Sequence, residues 1–243
     1  MRIDVVPTVE EIRYDQIGNR VVIVIDVLRA SSSIVTALGT GFSVVVPVET
    51  IGQANALRTE NCFLAGERHC RKIPDFDYNN SPTELAGHSQ KGSVLILTTT
   101  NGTRAIQKAE RASSLLIGCF LNATACIQYA LSKRLDITLY CAGTRSEFAL
   151  EDGLAAGLMI HRAKLLQPQV QLCDLGEALR ASYLHLSDRL PQLLPHTTPA
   201  EDWSSIILPM ILPFVHRLTT IAWSRLYERS EYFPTLSHKV KED

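Results

Sequence analysis

Acids, arginines and hydroxyls recur in this sequence at one kind of place, directly after a short apolar run. Asp26 ends the run 21–25 (VVIVI), and Arg29, Ala30, Ser31, Ser32 and Ser33 follow it. Asn101 comes after the run 93–97 (SVLIL) and the triplet Thr98-Thr99-Thr100, with Gly102, Thr103, Arg104 and Ala105 behind it. Asp26…Arg29-Ala30 and Asn101…Arg104-Ala105 therefore share one spacing: an oxygen-bearing side chain, an arginine three residues on, and an alanine next. Glu67 and Arg68 follow 63–65, Gly143-Thr144-Arg145 follows 137–141, and Glu151 and Asp152 then stand side by side.

Hard oxygen ligands such as Asp26, Glu67 and Asp152 suit Mg²⁺, which keeps several waters and bridges to phosphate. Arginines, hydroxyls and backbone donors suit phosphate oxygens, arginine by a two-point fork. A divalent ion also lowers the pKa of bound water, giving a nucleophile near neutral pH. The combination predicts metal-assisted hydrolysis of a phosphate ester. No Gly-x-Ser-x-Gly elbow is present, which removes a serine hydrolase of that type, and no GxGxxG or Walker loop supports standard nucleotide binding. No motif requires a catalytic histidine; His69, beside Arg68, is the one near these turns. Taken singly, Asp26 reads equally well as a helix cap with Arg29 as its solvated partner. The return of the pattern is what favours a site.

The elements that must carry these residues are strands followed by helices. The β-branched run 21–25 reads as a strand buried on both faces, as in a parallel sheet. Ligands in such folds bind beyond the carboxyl ends of the strands, near helix N-termini. Further strands are expected over 1–6, 42–48, 63–65, 93–97, 115–117 and 137–141, and helices over 34–38, 50–60, 105–111, 123–131 and 153–166. Residues 71–84 (RKIPDFDYNNSPTE) form a loop rich in turn residues, long enough to be functional. The fold class is α/β: layered α/β/α with mostly parallel strands and, from the shared corner pattern, two related halves.

The chain has 243 residues and a net charge of −1, enough for one full core and without the basic excess expected of a nucleic-acid binder. Its six cysteines lie without a CxxC pair, which predicts reduced core thiols and a cytoplasmic setting rather than a disulfide frame or a zinc site. The N-terminus is too charged for a secretory signal, and the apolar stretch 204–227 is interrupted by prolines, His216 and Arg217, a poor membrane span. No glycine follows Gly176, and six of the eleven prolines lie between Pro191 and Pro234. A catalytic region 1–180 and a glycine-free, helical segment 181–243 are expected.

With VIDVLRASSSIVTAL, LAGER, FDYNNSP, LTTTNGTRAI, GCFLNA and CAGT…FALEDGLAAG in family order over residues 1–165, the chain resembles the 2-phosphosulfolactate phosphatase (ComB) family. The resemblance implies an α/β fold, Mg²⁺, and cleavage of phosphate from 2-phospho-3-sulfolactate, in methanogens a step of coenzyme M synthesis. It implies Asp26, Glu67 and Asp152 as metal ligands, and Asp26, Glu151 and Asp152 as the catalytic acids, one of them a general base for water. It implies a substrate-binding set of Arg29, Arg68, Asn79, Ser81, Thr100, Asn101, Gly102, Thr103, Arg104 and Asn122, with Asn79 and Ser81 closing over the ligand from the loop. The partner is a small phosphorylated acid, neither nucleic acid nor membrane; a homodimer is compatible with the sequence. The resemblance stops near Ala181, where lineage-specific replacement or a shifted reading frame would each leave such a tail. Another phosphorylated 2-hydroxy acid as substrate, or an anion-binding module without turnover, are the competing readings.

Overall fold

The computed structural model describes residues 1–87 and 91–194. Strands β1 (Arg2–Val6), β2 (Arg20–Ile25), β7 (Ser114–Gly118), β8 (Asp136–Cys141) and β9 (Gln171–Leu172) form one sheet in the order β7-β2-β8-β1-β9. Strands β3 (Val44–Pro47), β4 (Cys62–Arg68), β5 (Arg71–Lys72) and β6 (Val94–Thr98) form a second, ordered β3-β6-β4-β5. Every pairing is parallel except β4 with β5. The α/β class with mostly parallel strands is what the apolar runs predicted, but they lie in two sheets, and one Asp/Asn…Arg-Ala corner belongs to each.

Between the strands run α1 (Ala30–Thr40), α2 (Ile51–Ala56), α3 (Pro82–Ala86), α4 (Gly102–Lys108), α5 (Ala123–Ser132) and α6 (Leu150–Leu166). Helices α7 (Asp174–Leu186) and α8 (Leu190–Leu193) complete the described chain. Helix α1 begins four residues earlier than the pattern 34–38 predicted and takes in all three serines, and Ala30 to Ala37 are buried without a break. A helix buried all round shows no clean apolar stripe, which is why its start escaped periodicity. One apolar core runs through both sheets, joining Val22, Ile23 and Leu139 to Val45, Leu95 and Leu97. Helix α7 passes straight through the expected boundary at residue 180. The remainder of the expected C-terminal segment, 195–243, lies outside the described residues, as do 88–90. No described helix is long and apolar enough to cross a membrane, and all six cysteines are free.

Register explains why distant turns meet. Ile25 is level with Gly118 on one side and Cys141 on the other, so three parallel strands end in one row and their turns leave the same edge. In the second sheet Gly66 is level with Thr98, so Glu67 and Thr99 emerge together.

The small residues of α6 let α7 lie close. A Cβ at Gly157 would collide with the Leu179 carbonyl of α7. Gly157→Ala is expected to cost about 1–3 kcal/mol by overpacking, read as a fall of several degrees in a thermal melt. An unchanged midpoint would show that the two helices are free to part.

Candidate active site

The turn after β2 is closed by its own polar groups. The Asp26 N–H donates to Ser31 Oγ (2.9 Å), the Ser31 N–H donates back to the Asp26 carbonyl (2.8 Å), and the Ala30 N–H donates to Asp26 Oδ1 (3.2 Å). Ser31 Oγ also reaches the Val24 carbonyl (3.3 Å), and Ser32 Oγ donates to that of Val27 (2.7 Å). These two serines, expected from sequence among the groups meeting a ligand, build the corner that aims Asp26.

Four acids gather there. Asp26 is pushed up to about 7, chiefly by burial; the Ala30 N–H pulls it down, Glu67 and Glu151 push it up, and Arg29 pulls it down again. Asp152 is raised well above the carboxylate range, first by burial and then by Asp26 and Glu151, against the two N–H groups that it accepts. Those donors are Val27 N (2.8 Å, to Oδ1) and Gly143 N (3.1 Å, to Oδ2). Glu151 is 1 % exposed and its charge reaches both aspartates. Glu67 is fixed by three donors: Thr100 N (2.8 Å) and Thr100 Oγ1 (2.9 Å) on Oε1, and Cys70 N (2.8 Å) on Oε2. Burial, Asp152 and Glu151 together also push the Cys141 thiol up.

The second sheet delivers its corner to the first. Asn101 Nδ2 donates to the Gly143 carbonyl (3.1 Å), and Gly102 lies so close to Asp26 that a Cβ there would stand 2.5 Å from Oδ2. Asp26, Arg29, Glu67, Thr100, Asn101, Gly102, Glu151 and Asp152 are thus joined by hydrogen bonds, contacts or the charges they exert on one another.

Other predicted residues hold the frame. Arg68 lies inside β4, which is longer than the predicted 63–65; its guanidinium donates to the carbonyls of Glu67 (2.7 Å) and Glu49 (2.8 Å) and to Thr98 Oγ1 (2.8 Å). Thr103 is fully buried and exchanges hydrogen bonds with Thr99. Asn122 accepts from Cys119 N (2.9 Å) and donates to the Ile117 carbonyl (2.8 Å), closing the β7–α5 turn. Ser81 caps α3 through Glu84 N (3.4 Å), and the Asn79 N–H donates to Glu84 Oε2 (3.0 Å). The loop before them is pinned along β4 by Tyr78, which exchanges backbone hydrogen bonds with Leu64 and Gly66. Arg104 is exposed and pairs at 3.6 Å with Glu10. Sequence reasoning missed Val27 and Cys70 and gave Gly143 no role beyond its turn, since a backbone N–H carries no residue-type signal.

Among the described residues no three His, Cys, Asp or Glu side chains are grouped to hold one metal ion. Mg²⁺ commonly needs only one or two carboxylates, with water and phosphate oxygens completing its shell. A buried Asp26 raised by the charges of Glu67 and Glu151 is a donor set that a divalent cation would relieve.

The sequence profile described as 2-phosphosulpholactate phosphatase matches residues 6–205. A protein of Thermotoga petrophila named a probable 2-phosphosulfolactate phosphatase is 44% identical over 163 residues, 67% of this chain and 68% of that protein. Its namesake from Thermotoga maritima is 46% identical over 145 residues, 60% of this chain and 63% of that protein, so the match spans less than two thirds of its length. A third, from Clostridium acetobutylicum, is 38% identical over 188 residues, 76% of this chain and 79% of that protein.

Proposed function

The chain belongs to the 2-phosphosulpholactate phosphatase family, and from that premise we propose that it hydrolyses 2-phospho-3-sulfolactate to 3-sulfolactate and phosphate with the help of Mg²⁺. Its class is that of a phosphoric monoester hydrolase. The observation that carries the reading is the buried, mutually repelling acid group around Asp26, set beside Arg29 at the ends of parallel strands.

In this reading Asp26, with Glu67 beside it, would hold the cation. Bound Mg²⁺ would offset the repulsion among these acids and draw electron density from the phosphoryl oxygens. Arg29 and Arg104 would meet the anionic arms of the substrate, phosphate and sulfonate. The Arg104–Glu10 pair is solvent-exposed, and such pairs contribute little, so Arg104 can exchange Glu10 for a substrate anion at small cost. Hydrolysis adds water across the P–O bond: the attacking water loses a proton and the departing 2-oxygen gains one. Glu151, buried in the same group, is our choice for taking the first proton.

The test is phosphate release from 2-phospho-3-sulfolactate and from a panel of other phosphorylated 2-hydroxy acids, each with and without Mg²⁺. Mg²⁺-dependent release with preference for the sulfonated ester supports the proposal. Equal or better release from another phosphoacid moves the substrate, and no release from any of them leaves an anion-binding module.

A pH dependence follows from Asp26. Because its carboxyl is held near 7, a cation bound there must displace a proton in slightly acidic solution. The Mg²⁺ concentration giving half-maximal activity is expected to rise about tenfold per pH unit below the pKa and to level off above it. A half-maximal concentration that stays constant from pH 5 to 8 would remove Asp26 as the ligand.

A further inference from the structure

We propose that Asp152 is a positioning residue, a clamp that sets where Asp26 stands rather than a metal ligand or a general base. The inference deepens the phosphatase reading above and rests on it for its kinetic test.

Each oxygen of Asp152 takes a backbone N–H from a different strand-end turn: Oδ1 from Val27 (2.8 Å) and Oδ2 from Gly143 (3.1 Å). Val27 follows Asp26 directly, so holding its N–H fixes the peptide group that joins it to Asp26. Gly143 sits in a tight turn with φ +66°, where an added Cβ would strike the Glu147 carbonyl, so the turn that presents this N–H requires a glycine. The carbonyl of the same Gly143 receives Asn101 Nδ2 (3.1 Å) from the second sheet. One carboxyl group therefore ties the turn carrying Asp26 to the turn after β8, and through Gly143 to the corner that lies against Asp26. The clamp stands in the first turn of the 17-residue helix α6, a rigid mount. Both oxygens of Asp152 already accept a backbone N–H from a strand-end turn, which is the arrangement a clamp needs.

The test measures kcat, KM, the half-activating Mg²⁺ concentration and the pH profile of Asp152→Asn and Asn101→Ala. The asparagine amide keeps the shape but can accept through its oxygen only, and its NH₂ faces a backbone N–H. Loss of a supporting partner of this kind is expected to lower kcat by about 10–100-fold. KM and half-activating Mg²⁺ should stay within about twofold of wild type, and the acidic limb of the profile should remain. Asn101→Ala loosens the clamp from its other end and should give the same split, so a poorly folding Asp152→Asn does not block the test. A tenfold rise in half-activating Mg²⁺ for Asp152→Asn would make it a ligand, and loss of the acidic limb would make it the base; either overturns the proposal. A raised KM in Asn101→Ala would make that residue a substrate contact and count against the clamp.

Should the wild-type protein fail to release phosphate from 2-phospho-3-sulfolactate, the functional reading fails, and amide hydrogen exchange still reads the clamp. Asp152→Asn is then expected to speed exchange at Val27 and Gly143 without a matching change in α5. Unchanged protection at both amides overturns the inference.

Discussion

Phosphate release by the Asp26→Asn variant is expected to fall by about 1000-fold, within the range lost when a positioned acid–base or charge-stabilising group is removed. The substitution keeps size and shape, and the Ala30 N–H retains an oxygen to donate to, so the corner should survive. What goes is the charge that would hold a cation. Stability should move the other way. The folded carboxyl titrates near 7 and the unfolded one near 3.8, so between these values the folded state keeps a proton that the unfolded state releases. A raised acid therefore makes the Mg²⁺-free protein less stable as pH rises through that window, with the loss complete above it. Asparagine has no proton to lose. The variant should melt at or above the wild-type temperature at pH 8 and lose that advantage at pH 5. Turnover and Mg²⁺-free melts at both pH values check this; retained turnover, or a lower melting point at pH 8, would contradict it.

Gly102→Ala should produce the next largest loss. The added methyl would enter space held by Ala30 and stand 2.5 Å from Asp26 Oδ2, so α4 and the β2 corner must separate. Overpacking of this sort costs about 1–3 kcal/mol. A displacement near 1 Å at a reacting group lowers turnover by about 100-fold. Both effects should appear together, as a lower melting temperature and a reduced kcat. Wild-type kinetics in Gly102→Ala would mean that the second sheet does not need to sit tightly on Asp26.

The parts of the molecule that were legible in the sequence are those where residue type alone decides. Five consecutive β-branched residues before Asp26 could only be a buried strand, and they are buried to the last. The shared Asp26/Asn101 spacing marked two corners that the fold brings against each other. Strand order is not a property of any one run, so the division into two sheets was invisible. For Arg68 the sequence offers only an arginine beside a glutamate at a strand end; the tertiary fold adds that its guanidinium is turned onto the carbonyls of Glu67 and Glu49 and onto Thr98 Oγ1. Ser31, Ser32, Thr103 and Asn122 follow the same lesson: small polar side chains near strand ends hydrogen-bond local backbone as readily as they meet a ligand. Only the later turns of helix α7 fall in the segment expected to be helical; its start at Asp174 precedes the change in glycine content that suggested the boundary.

The acids come from both halves of the architecture: Asp26, Glu151 and Asp152 leave the five-stranded sheet, while Glu67 arrives on the other, with Gly102 packed against Asp26. Turnover is then a gauge of docking. A shift of one sheet against the other by about 1 Å would silence the protein before either lost its strands.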